Sequence, residues 1–124
     1  IYLNIIYYIK IIMKKTGLNR DLSDKFYTKP EVAKKCVEEW KKLNVAKEHN
    51  LVIEPSAGSG SFTNLIHEWS SISYDIAPAH EKVREQDFLK LDLNLCFHMP
   101  CHYIGNPPFG RQSSLAKKFI KKIC

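Results

Sequence analysis

The sequence predicts a single α/β domain built on a parallel sheet, and three observations carry that expectation. From residue 30 onward, short apolar runs alternate with amphipathic helical runs, the pattern of strands joined through crossover helices. The first apolar run, Leu51, Val52, Ile53 and Glu54, passes straight into a glycine turn, Pro55 to Gly60, as at the carboxyl end of a strand that opens a βα unit. The chain has 124 residues, 44% hydrophobic and 26% charged, which suffices for one core and not two. The same composition excludes a collagen, a coiled coil or a disordered tail.

The elements follow in order. Residues 1–12, IYLNIIYYIKII, are apolar but too short for a membrane span, which needs about 20 residues, and Asn4 and Lys10 interrupt them. A signal peptide carries its positive charge before the apolar stretch, whereas Met13, Lys14 and Lys15 follow this one. Met13 is therefore expected to be the natural start and residues 1–12 an upstream leader, with an extra N-terminal strand as the alternative. Residues 14–27 read as irregular. Thr28, Lys29, Pro30 and Glu31 have the form of a capping box with proline in the first turn. Behind them Val32, Ala33, Cys36, Val37, Trp40 and Leu43 keep a 3.6-residue rhythm, so an amphipathic helix of about four turns is expected.

Residues 51–54 are the first strand and residues 61–69 read as the helix after the glycine turn. A second strand, residues 71–76, ends before Pro78. A brief charged helix is expected at about residues 79–85, and Asp87, Phe88 and Leu89 form a third short strand or its edge. His102, Tyr103 and Ile104 are a fourth strand, running into Asn106, Pro107, Pro108, Phe109 and Gly110. A basic helix over residues 113–123 closes the chain, with Leu115, Ala116, Phe119, Ile120 and Ile123 on one side.

Charge is distributed unevenly. The net charge is +6; residues 1–50 carry +5, residues 51–110 carry −4 and residues 111–124 carry +5. An acidic middle between basic flanks suits a small ligand in the centre and a polyanion around it, although lysines kept for solubility give the same count. Cys36, Cys96, Cys101 and Cys124 form no CxxC pair, so reduced thiols in a cytoplasmic compartment are expected. Cys96, His98, Cys101 and His102 cluster, but they lack two short ligand spacings across a turn; no metal site is assigned.

Gly58 and Gly60 let backbone approach a ligand. The third position of a dinucleotide fingerprint is Thr63 here, which disfavours pyrophosphate. Asp75 follows Gly58 by 17 residues, close to where an acid accepts hydrogen bonds from ribose hydroxyls. Glu54 beside the turn would repel phosphate and welcome an ammonium group. Together these features suit a nucleoside that carries an amino acid.

VIEPSAGSGSF followed by YDIAP, QDFL and GNPPF resembles the motif series of the class I methyltransferases that use S-adenosylmethionine. The closest resemblance is to those that methylate exocyclic amino groups. The upstream DKFYTKPEVAKKCVEEW is similar to the N-terminal cofactor motif of the DNA adenine-N6 methyltransferases. The resemblance spans about residues 24–124 and implies a Rossmann-like parallel sheet. It implies that Pro55, Ser56, Ala57, Gly58 and Gly60 wrap the methionine part of the cofactor and that Asp75 holds the ribose. Asp87 would take the adenine amino group, Ile76 and Phe88 would sandwich the adenine, Tyr27 and Thr28 would help seat the methionine, and Glu54 would lie near the cofactor's amino group. The bland reading of Asp87 is a cap. Residues 13–124 would be the N-terminal part of the catalytic domain, truncated after the fourth strand and its following helix.

An exocyclic amine is a poor nucleophile because its lone pair is delocalised into the ring. Two acceptors aimed at its two hydrogens push the nitrogen toward tetrahedral geometry. Asn106 offers a side-chain oxygen and Pro107 a backbone carbonyl, held by the restricted φ/ψ of a residue before Pro108. Phe109 is a stacking face for a base drawn out of its helix. Catalytic roles are thus expected for Asn106, Pro107, Pro108 and Phe109, and adenine in DNA is the expected substrate. Cytosine-N4 enzymes more often carry Ser in place of Asn106. The alternatives are methylation of ribosomal RNA or of a protein glutamine, or an inactive truncated remnant.

Overall fold

The computed structural model describes residues 27–43, 46, 47, 49–96 and 98–124. The leader expected at residues 1–12 and most of the irregular run before Tyr27 lie outside the described residues. Helix α1, Pro30–Lys42, buries Ala33, Val37 and Trp40. Strands β1, Leu51–Glu54, β2, Ser70–Asp75, β3, Arg84–Glu85, and β4, Cys101–Tyr103, follow. A one-turn helix α2, Leu93–Cys96, precedes β4, and α3, Ser114–Ile123, ends the chain.

The four strands form one all-parallel sheet in the order β3-β2-β1-β4. Leu51 pairs with Ser70 on one side and Cys101 on the other, so β1 is central and all four of its residues are buried. An apolar run without alternation is what a strand covered on both faces requires. Because successive side chains point to opposite faces, Val52 joins Ala33, Val37, Trp40, Phe62 and Ile66 on one side. Leu51 and Ile53 join Tyr74, Phe88 and Phe119 on the other. Each fully buried large side chain, such as Ile53, Ile66 or Phe88, contributes about 1.5–3 kcal/mol. On the α1 face Trp40 meets Trp69 edge-on at 5.0 Å between ring centroids and His102 at 6.2 Å. Lys41 bridges Glu68 at 3.1 Å and lies 5.1 Å above the Trp69 ring.

Four local expectations are corrected. The capping box does not form: Lys29 is the N-cap of α1 and makes no side-chain cap bond. Residues 61–69 are consecutive turns rather than a helix. Their backbone bonds mix the two spacings, Asn64 to Gly60 and Leu65 to Phe62, while the hydroxyls of Ser61 and Thr63 are drawn to Thr28 and Glu54. Such side-chain bonds compete with regular helix. The charged helix at 79–85 is also absent, because Arg84 and Glu85 pair with Tyr74 and Asp75 as β3. Finally, Asp87 is not on a strand. It is the N-cap of a 3₁₀ turn, Phe88–Lys90, and its Oδ1 accepts from the Leu89 N–H at 3.0 Å.

Among the described residues no helix is long and apolar enough to cross a membrane.

Candidate functional site

The chain leaves β1 toward β2 on one side and returns, after β3, to β4 on the other. Loops from the carboxyl ends of β1 and β4 diverge at such a switch point and leave a crevice, the usual ligand position in an open parallel sheet. A cavity of about 260 Å³ lies there, just under the roughly 300–1,000 Å³ typical of small-molecule pockets.

The sequence motifs converge on this cavity. Pro55, Ser56 and Gly58 come from the loop after β1, Asp75 and Ile76 from the end of β2, Asp87 and Phe88 from the segment after β3, and Asn106 to Phe109 from the loop after β4. Tyr27 closes one side. Four predicted residues do not line it. Ala57 is buried in the turn, its N–H donating to the Tyr74 carbonyl at 2.8 Å. Gly60 has φ +80°, and an added Cβ would meet His80 Cδ2 at 2.6 Å. The glycine therefore admits a histidine ring. Gly58, at φ +53°, likewise leaves room for the Tyr27 ring, 2.9 Å from where its Cβ would be.

Thr28 lies beyond Tyr27, on a second hollow of about 450 Å³ shared with Ser59, Ser61 and Asn64. Glu54 is the fourth. It is 1% exposed beneath the turn, where Oε2 accepts from Thr63 Oγ1 at 2.6 Å and from Ser73 Oγ at 3.3 Å. Burial pushes its carboxyl up to about 7; the Thr63 and Ser73 donors pull the other way, and the charge of Asp75 adds to the rise.

Asp75 holds the turn together. Its Oδ2 accepts from the Gly58 N–H and its Oδ1 from the Ala77 N–H, both at 2.8 Å. A carboxylate has about four acceptor positions, so these two bonds orient the group without exhausting it. Asp87 is fixed by the Leu89 N–H. Asp75 and Asp87 are the charged residues of the wall; among the described residues no lysine, arginine or histidine lines it. At the rim Ile76 is 69% exposed, while Phe88 is 1% exposed and stacked on Phe119, 5.9 Å away and 7° from parallel.

The loop after β4 is held at both ends. Ser56 Oγ donates to the Asn106 carbonyl at 3.3 Å, and Asn106 Nδ2 donates to Thr28 Oγ1 at 3.3 Å. The Phe109 carbonyl accepts from the N–H groups of Leu115 and Ala116, which ties the loop to α3 through a kink where Gly110, Gln112 and Ser113 have positive φ.

Sequence reasoning missed Ala77, Gln86, Leu89, Leu115 and Phe119 on the wall. Gln86 precedes Asp87, and Leu115 and Phe119 stand at i and i+4 on the apolar side of α3; those positions were the available signal. Lys122, also on α3, donates to the carbonyls of Leu89 at 3.1 Å and Leu91 at 2.5 Å and so pins the segment that carries Asp87 and Phe88. Cys101 Sγ donates to the Met99 carbonyl and His102 Nε2 pairs with Asn50 Oδ1 at 3.0 Å; burial raises the thiols of Cys36 and Cys101 and lowers His102. Among the described residues no His, Cys, Asp and Glu cluster could hold a metal ion.

Comparison of the chain with protein-family models, curated proteins and solved structures finds no match.

Proposed function

We propose that the chain carries the cofactor and catalytic sites of a Rossmann-like, S-adenosylmethionine-dependent N-methyltransferase acting on adenine N6 in DNA. The observation that supports this most directly is a cavity at the switch point whose charged residues, among those described, are two carboxylates, Asp75 and Asp87, and whose lining also includes Asn106, Pro107, Pro108 and Phe109. Among the described residues the wall carries no cation to balance the charge of a nucleotide phosphate. S-adenosylmethionine is a nucleoside with a cationic sulfonium and an ammonium group, and its ribose hydroxyls and adenine amine are donors. That donor set suits oriented carboxylates beside the apolar Ile76 and Phe88. The residues present therefore fit the cofactor.

Bound there, S-adenosylmethionine supplies an electrophilic methyl group on sulfur. Asp75, Asp87, Ile76 and Phe88 would hold the cofactor, and the methyl would pass to the lone pair of the substrate's amino nitrogen, with an amine proton lost to water. Asn106 Oδ1 and the Pro107 carbonyl accept the two amine hydrogens and direct the lone pair. Phe109 stacks on the base, worth about 1–3 kcal/mol. Positioning, rather than a dedicated base, is the main demand when the leaving group is already charged. The basic residues Arg111, Lys117, Lys118 and Lys121 in and before α3 are exposed and suit a phosphate backbone.

Isothermal titration with S-adenosylmethionine and with its demethylated product tests the cofactor; heat with both and none with NAD is expected. No binding by folded protein overturns the assignment. Mass spectrometry of DNA nucleosides, RNA nucleosides and protein after incubation with labelled cofactor tests the substrate, and Asn106→Ala should abolish labelling with cofactor affinity nearly unchanged. Label in RNA or in glutamine alone would replace DNA as the substrate.

A further inference from the structure

We infer that Thr28 is a positioning residue that acts through Asn106, holding the amide nitrogen so that the amide oxygen faces the cavity. This rests on the methyltransferase reading for its catalytic consequence, though not for its geometry. An asparagine amide that must accept from an amine has two orientations, and the wrong one presents NH₂ to NH₂. In this chain Asn106 Nδ2 donates to Thr28 Oγ1 at 3.3 Å, and the Asn106 main chain is held separately by Ser56 Oγ.

Thr28 is itself fixed, because its carbonyl accepts from Ser61 Oγ at 2.6 Å. Its hydroxyl makes no cap on α1, whose N-cap is Lys29. Asn106 lines the cavity and Thr28 does not. The residue expected to seat the methionine is therefore better placed to orient the catalytic amide from behind. A hydroxyl can donate as well as accept, so the direction of this bond is the content of the inference: nitrogen toward Thr28, oxygen toward substrate.

The variants Thr28→Val, which keeps the shape and the carbonyl bond to Ser61, and Thr28→Ser, which keeps the hydroxyl, test it. Thr28→Val is expected to lower kcat at least 10-fold with cofactor affinity changed less than 2-fold, and Thr28→Ser to stay within 3-fold of wild type in both. Loss of cofactor affinity in Thr28→Val would make Thr28 a cofactor contact and overturn the inference. A readout independent of turnover is the Asn106 side-chain amide in the nitrogen–proton NMR spectrum, assigned by its disappearance in Asn106→Ala. One of its protons should exchange slowly in wild type and Thr28→Ser and rapidly in Thr28→Val. Exchange indifferent to both variants would refute the bond direction. Absence of cofactor binding to wild type would instead refute the methyltransferase reading, and the NMR result would still decide the geometry.

Discussion

Replacing Glu54 with glutamine should stabilise the fold at neutral and alkaline pH and leave it unchanged in acid. Glu54 sits on the central strand with its carboxyl against Thr63 and Ser73 and 1% of its surface exposed. Burial raises its pKa from 4.5 to about 7. At about 1.4 kcal/mol per tenfold change in proton affinity, the ionised carboxylate costs the folded state about 3 kcal/mol relative to the unfolded chain. Between pH 4.5 and 7 the folded state binds more protons than the unfolded one, so stability falls as pH rises through that window and levels off above it. Glutamine imitates the neutral acid by keeping an oxygen that accepts from the hydroxyls, with an NH₂ in place of the OH, and it does not titrate. His102, whose pKa burial lowers from 6.5, has the opposite sense: its contribution is present above pH 6.5 and is lost as pH falls. Because both proteins share it, the difference between them cancels it. Urea unfolding at pH 5, 6, 7 and 8 is the assay. A difference of about 1 kcal/mol or less at pH 5 that grows to about 3 kcal/mol in favour of glutamine at pH 8 is expected. A constant difference across pH, or a less stable Glu54→Gln protein at pH 8, would refute the reasoning.

Asp75→Ala should weaken S-adenosylmethionine binding by about 1.5–3 kcal/mol, the range for hydrogen bonds to charged groups, measured by isothermal titration. It also releases the Gly58 and Ala77 N–H groups, so faster amide exchange at both residues should accompany the loss. Lys122→Met keeps the aliphatic stem near Phe88 but removes two donors to the Leu89 and Leu91 carbonyls; a loss of about 1–2 kcal/mol in urea unfolding and weaker cofactor binding through the Asp87 segment are expected.

The parts of the fold legible in the sequence are those set by local pattern. The rhythm of Ala33, Val37 and Trp40 marked α1, the unbroken apolar run of β1 marked a strand buried on both faces, and residues 113–123 contained α3 to within a residue. The cavity was legible for a related reason: four strand ends in parallel bring their loops together, so motifs far apart in sequence had to meet. What escaped depended on side chains answering distant partners. Thr28 looked like a cap and is bonded to Asn106. Thr63 looked helical and serves Glu54, a residue read as a ligand contact that lies beneath the turn instead. Asp87 could be foreseen as a strand residue or as a cap, and the local Leu89 N–H decided for the cap. The i, i+4 spacing of Leu115 and Phe119 marked an apolar side of α3, but not that this side packs against Phe88 at the cavity.

The paired indoles make the α1 face an optical reporter. Trp40 and Trp69 are the chain's two tryptophans, and at 5.0 Å between centroids their transitions couple. Near-ultraviolet circular dichroism should carry an exciton signal from this contact, and indole emission reads the docking of α1 on the turns after β1 and on His102 of β4. Neither ring lines the ligand cavity, so cofactor titrations followed by tryptophan fluorescence should be almost silent. During unfolding, decay of the exciton band ahead of the far-ultraviolet sheet signal would identify α1 as a unit that opens before the sheet.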